Sequence, residues 1–114
     1  MLKTYQQNWL DKLDVIIEQH LDNASFCQRD LAISMFMSVK NLYVKTKRIT
    51  TYSPNHYIRQ KRLERAKELL LSSSNEYNLD EIAKCVGYSS KVYFIKLFME
   101  AYQAHPEEFL QTAA

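Results

Sequence analysis

The chain has 114 residues, 46% of them apolar, with one glycine, two prolines and two cysteines. That length allows one domain, or two very small ones sharing a helix, and the scarcity of glycine excludes glycine-rich phosphate loops and hairpin-rich sheets. Net charge is only +2, yet residues 38–67 hold nine bases (Lys40, Lys45, Lys47, Arg48, Arg59, Lys61, Arg62, Arg65, Lys67) against Glu64 alone, a net of +8; the flanking segments carry −2 and −4. Such a run reads as a polyanion-facing surface, the plainer alternative being a solvated helix face.

No stretch approaches 18 apolar residues, so no membrane span is expected. Met1-Leu2-Lys3-Thr4-Tyr5 turns polar at once and does not read as a signal peptide. Without an export signal the expected compartment is the cytoplasm, with Cys27 and Cys85 as buried thiols.

Trp9, Leu13, Ile16, Ile17 and Leu21 recur at helical spacing and predict an amphipathic helix over about 6–21. Asp22-Asn23-Ala24-Ser25 breaks it. A second helix runs from about Gln28 to Met35, with Leu31, Ala32 and Met35 inward. Ser38 caps a third, whose inward residues are Leu42 and Ile49. Thr50-Thr51-Tyr52 closes it. Ser53 then caps a fourth helix with Pro54 at its first position, where a missing amide costs nothing. This helix reaches about Leu71, with Tyr57, Ile58, Leu63, Ala66, Leu69 and Leu70 as its stripe, and Ser72-Ser73-Ser74-Asn75 ends it. No flexible linker is evident, so it is expected to join the two halves rigidly. Asn78 opens a fifth helix, with Glu81 three residues on; it ends at Val86, and Gly87 supplies the turn. A sixth spans about Ser90 to Tyr102 with Phe94, Leu97, Phe98 and Ala101 inward, and His105-Pro106 opens a seventh ending near Gln111. No segment alternates with period two, so the fold class is all-α.

The pattern is written twice. Asp30-Leu31-Ala32, Ser38, Leu42, Ser53-Pro54 and Tyr57-Ile58 return as Glu81-Ile82-Ala83, Ser89, Phe94, His105-Pro106 and Phe109-Leu110. The offset is 51 at Leu31/Ile82 and 52 at Pro54/Pro106, so one extra residue enters after Ser89. A helix, a short break at a serine and a second helix read as a helix-turn-helix, here in two copies suited to gripping duplex DNA.

Several stretches, in order and at the right separations, carry a resemblance: Arg62-Leu63-Glu64-Arg65-Ala66-Lys67-Glu68-Leu69-Leu70, Ile82-Ala83-Lys84-Cys85-Val86-Gly87-Tyr88-Ser89, Tyr93-Phe94-Ile95-Lys96-Leu97-Phe98 and Pro106-Glu107-Glu108-Phe109. Over about residues 10–110 the chain resembles the DNA-binding domain of AraC/XylS transcription regulators. Ser53-Pro54-Asn55-His56-Tyr57-Ile58-Arg59 is similar to the version fused to bacterial hybrid two-component sensors. The resemblance implies about seven helices: a first helix-turn-helix unit over about 6–52, a linker helix over about 53–71 and a second unit over about 76–111. It implies two recognition helices in successive major-groove segments, about one 34 Å turn apart. The implied partners are double-stranded DNA, RNA polymerase and a sensor or response domain upstream in the full-length protein, with no membrane and no cofactor.

The resemblance places Lys40, Tyr43 and Val44 of the third helix, and Lys91, Val92, Ile95 and Lys96 of the sixth, against bases. Lysine donates to guanine O6 and N7, whereas apolar groups contact the thymine methyl. Val44 and Ile95 stand where the family commonly has Arg and a small polar residue; they either select thymine, or face the core, or the groove face is aligned one residue out. Tyr43 either donates or packs. The phosphate candidates are Ser38, Lys45, Lys47, Arg48, Arg59, Lys61 and Arg62, then Ser89, Ser90 and Lys96, helped by free amides at helix starts. With only Lys91 and Lys96 on the sixth helix, the first unit is expected to supply more affinity.

Phe36 occupies the turn position that is Gly87 in the second copy, so the turn is expected to be rebuilt or its strain offset by burying the ring. Thr51 and Gln103 stand where the family usually has glycine, Cys27 where it has a serine cap, and Thr46 where it has an apolar core residue. His20, Cys27, His56, Cys85 and His105 show no zinc-type spacing, and no catalytic motif is present, so neither metal nor catalysis is expected. The rival to DNA binding is a helix-turn-helix module that binds protein partners with little specific DNA reading.

Overall fold

The structure, a computed structural model, describes residues 3–72 and 78–110. It comprises six α-helices and a 3-10 turn: α1 (Tyr5–Gln19), α2 (Gln28–Ser34), α3 (Val39–Thr50), α4 (Pro54–Ser72), α5 (Leu79–Cys85), α6 (Lys91–Tyr102) and the 3-10 turn Pro106–Phe109. The all-α class holds, with the seventh helix reduced to that single turn. The expected break at Ser73-Ser74-Asn75 and the end near Gln111 lie outside the described residues. Among the described residues no helix is long and apolar enough to cross a membrane.

Two compact units divide the chain. The first comprises Met1–His20 and Phe26–Lys61, the second Leu21–Ser25 and Arg62–Ala114. Helix α4 is shared: it belongs to the first unit as far as Lys61 and to the second from Arg62.

In the first unit α1 packs on α2, and α2 on α3. Leu13, Ile17, Phe26, Leu31, Ala32, Met35, Leu42, Tyr57 and Ile58 are its buried apolar residues. The Thr4 hydroxyl accepts the Gln7 amide N–H (3.1 Å) and starts α1. The helix ends two residues early, at Gln19, where the His20 ring stacks on Phe26 (centroids 4.5 Å apart). Thr46 is wholly buried, and among the described residues its hydroxyl has no hydrogen-bond partner, a burial that costs about 1–3 kcal/mol.

In the second unit α5 packs on α6, and α6 on the 3-10 turn. Leu63, Ala66, Leu70, Ile82, Ala83, Val86, Phe94, Leu97 and Phe98 form one core. Phe98 bridges Tyr102 and Phe109 at ring-centroid distances of 4.7 and 5.4 Å. The expectation of two buried thiols is corrected: Cys85 is exposed and Cys27 half-buried. Ile82, Ala83 and Val86 take the core side of α5, and helical spacing turns Cys85 outward.

Candidate nucleic-acid interface

Helices α3 and α6 have the same frame. Each is 12 residues long, and each begins at a serine whose hydroxyl accepts the backbone N–H three residues on: Ser38 from Asn41 (3.0 Å) and Ser90 from Tyr93 (3.2 Å). Each closes on a left-handed residue, Thr51 (φ 71°) and Gln103 (φ 53°). The preceding turns also correspond. Met37 N–H donates to Ala32 O (3.0 Å) past Phe36, and Tyr88 N–H to Ala83 O (2.8 Å) past Gly87. One residue separates Phe36 from its cap and two separate Gly87 from its cap, so the extra residue sits in the second turn.

Phe36 meets neither expectation for its turn. The backbone is not rebuilt, since φ stays at 56°, and the ring is not buried, being 90% exposed. The neighbouring Ile33 is also exposed.

On α3 the exposed residues are Val39, Lys40, Asn41, Tyr43, Val44, Lys47 and Arg48. Val44 faces solvent and not the core. The Lys47 ammonium lies 5.9 Å from the Tyr43 ring centroid, so cation and ring share one surface. Lys45, on the flank of α3, holds its ammonium 4.8 Å from the ring centroids of both Tyr5 and Trp9.

At the start of α4, Ser53 caps through the His56 N–H (3.3 Å), and the Asn55 side chain accepts the Gln28 N–H (2.9 Å) that opens α2. Arg59 is half-buried. His56 lies against Tyr52 and Gln60; partial burial, then the charges of Arg59 and Lys47, pulls its pKa below the usual histidine value. Lys61 is engaged within the unit. It pairs with Asp14 (3.6 Å), which also accepts the Tyr57 hydroxyl (2.5 Å), and it lies over the Tyr57 ring.

Arg62 requires a correction. Expected among the phosphate donors, it is 5% exposed. Its guanidinium donates to Gly87 O (2.8 Å) and Asn23 O (2.9 Å) and lies over the Tyr88 ring. Burial lowers its pKa, although a guanidinium stays charged. A Cβ on Gly87 would overlap that guanidinium and the Leu21 carbonyl oxygen, so this turn needs glycine for space as well as for its φ of 88°.

On α6 the exposed residues include Lys91, Val92, Tyr93, Lys96 and Met99, with Ser89 and Ser90 exposed before them. Ile95 is half-buried and packs against the core, one of the alternatives open to it. Lys91 lies 4.0 Å from Asp80, which offsets part of its charge. Aligned on their serine caps, Lys40, Val44 and Lys47 of α3 correspond to Val92, Lys96 and Met99 of α6. The first face thus presents two lysines where the second presents one. Tyr93 and Met99 were missed as surface residues of α6; alignment on Ser38 and Ser90 was the signal that finds Met99.

A family model described as a helix-turn-helix domain matches residues 31–112. The chain belongs to this AraC-type helix-turn-helix family. It is 31% identical to the C-terminal domain of the two-component response regulator yesN from Fusobacterium nucleatum, with a TM-score of 0.79 over 91% of this chain and 99% of that one. It is 29% identical over 108 residues to Histidine kinase P4 of Formosa agariphila, covering 95% of this chain and 8% of the kinase's length. The DNA-binding domain of AdpA, solved in complex with a target DNA, shares the fold: TM-score 0.77 at 23% identity, over 88% of this chain and 87% of that one. In this AraC-type chain the two helix-turn-helix turns are therefore α2–α3 and α5–α6.

Proposed function

We propose that the chain is the sequence-specific duplex-DNA-binding module of a bacterial transcription regulator, acting in the cytoplasm by binding and without catalysis. In this reading α3 and α6 enter successive major-groove segments. The observation that carries it is the exposed face of α3, where Lys40, Tyr43, Val44 and Lys47 stand together inside the basic stretch. Lys40 reads guanine, and Val44 and Val92 contact thymine methyls. Ser38, Lys47, Arg48 and Arg59, with Ser89, Ser90 and Lys96, meet phosphates. Ser38 and Ser90 accept backbone N–H groups through oxygen and so keep their own O–H to donate. The likeness to a response-regulator domain and to a histidine kinase supports a place as the output module of a two-component sensor, with RNA polymerase as the downstream partner.

Fluorescence anisotropy with mixed-sequence duplex over a salt series tests the reading. Contact with about six phosphates predicts a log-log slope near −5. Absence of binding at low salt, or a flat slope, would instead favour the rival partner-binding module, for which the exposed Ile33 and Phe36 speak.

A further inference from the structure

Lys45 and Lys61 both belong to the first unit and are held in chemically different ways. Lys61 has a carboxylate partner, Asp14, and that pairing neutralises it. Among the described residues Lys45 has no carboxylate partner; its ammonium rests on two aromatic faces, Tyr5 and Trp9, both on the first two turns of α1. An aromatic face attracts a cation through its quadrupole and leaves the net charge in place. It also removes much of the rotamer freedom that a free lysine must lose on binding an anion. Tyr5 is 77% exposed, so its ring adds little to the core.

We propose that Tyr5 and Trp9 are positioning residues for DNA binding: they hold the Lys45 ammonium, still charged, on the flank of α3 to meet a backbone phosphate. The inference rests on the DNA reading above and assigns to α1 a part in it. Neither ring need touch DNA. Their contribution passes through Lys45 and vanishes when that lysine is removed.

The test is a double-mutant cycle on the full chain, read by anisotropy with mixed-sequence duplex across a salt series. Lys45→Ala is expected to reduce the magnitude of the log-log slope by about one, the loss of one phosphate contact. Tyr5→Leu is expected to weaken binding roughly two- to fivefold, the range of an exposed cation–π contact, and Tyr5→Phe to restore it. In the Lys45→Ala background Tyr5→Leu should cost nothing further. Thermal melts of the Tyr5 variants should match the parent, since an exposed side chain is replaced. An equal Tyr5→Leu loss in both backgrounds overturns the proposal, as does an unchanged slope for Lys45→Ala in a parent that binds. A parent that fails to bind duplex at low salt overturns the DNA reading itself, and this proposal with it.

Discussion

Phe36 holds a left-handed backbone with its ring in solvent. A non-glycine residue there costs on the order of 1 kcal/mol, and burial of the ring returns almost nothing. Phe36→Gly is therefore expected to raise stability by about 0.5–1 kcal/mol, seen as a higher denaturant midpoint at unchanged slope. A lower midpoint would show that the ring packs more than its exposure indicates. His56 behaves in the opposite sense to a paired histidine. Its pKa is lower folded than unfolded, so the unfolded chain binds more protons as pH falls. Its favourable contribution is complete above the ordinary histidine pKa of about 6.5 and is lost as pH falls through the folded value. Relative to His56→Gln, the parent should lose stability between pH 7.5 and 5. A parent and variant with parallel pH profiles would remove this linkage.

At the scale of elements, α3 and α6 are built alike and charged differently. Their lengths, serine caps and left-handed ends match, but Lys40 and Lys47 face Val92 and Met99 across the alignment, and Asp80 offsets part of Lys91. Lys40→Ala with Lys47→Ala should therefore weaken duplex binding more than Lys91→Ala with Lys96→Ala, by roughly tenfold in moderate salt if one further phosphate contact is lost. Equal losses in the two titrations would mean that the charge difference between the helices is immaterial. The helix starts were legible in the sequence, because Ser38, Ser53, Asn78 and Ser90 stand directly before helical periodicity. The αL site at Phe36 was also located correctly, by its offset from Gly87. Its outcome was not legible, because whether a strained turn relaxes depends on hydrogen bonds such as Met37 N–H to Ala32 O that close around it.

For the whole molecule, the class and helix order were readable from periodicity, whereas the buried or engaged state of individual charges was not. Arg62 looks like its neighbours in a basic run. The missing Cβ of Gly87 and two backbone carbonyls, distant in sequence, help to make a place for it inside. Cys85 misled in the other direction, an apolar residue type on the outward side of a helix.

One of those carbonyls belongs to Asn23, in the short segment Leu21–Ser25, which is grouped with Arg62 onward although it lies between α1 and α2. The second helix-turn-helix unit is thus discontinuous in the chain. A fragment of residues 53–114 keeps α4, α5 and α6 and loses the Asn23 acceptor and the buried Leu21. Its circular dichroism is expected to melt without a cooperative transition, whereas the intact chain melts cooperatively; a sharp transition from the fragment would contradict this. The duplication is accordingly not a pair of interchangeable cassettes. A chimera that imports the second unit from a relative must also import the few residues between the first two helices, or leave the buried arginine of α4 without one of its carbonyl acceptors.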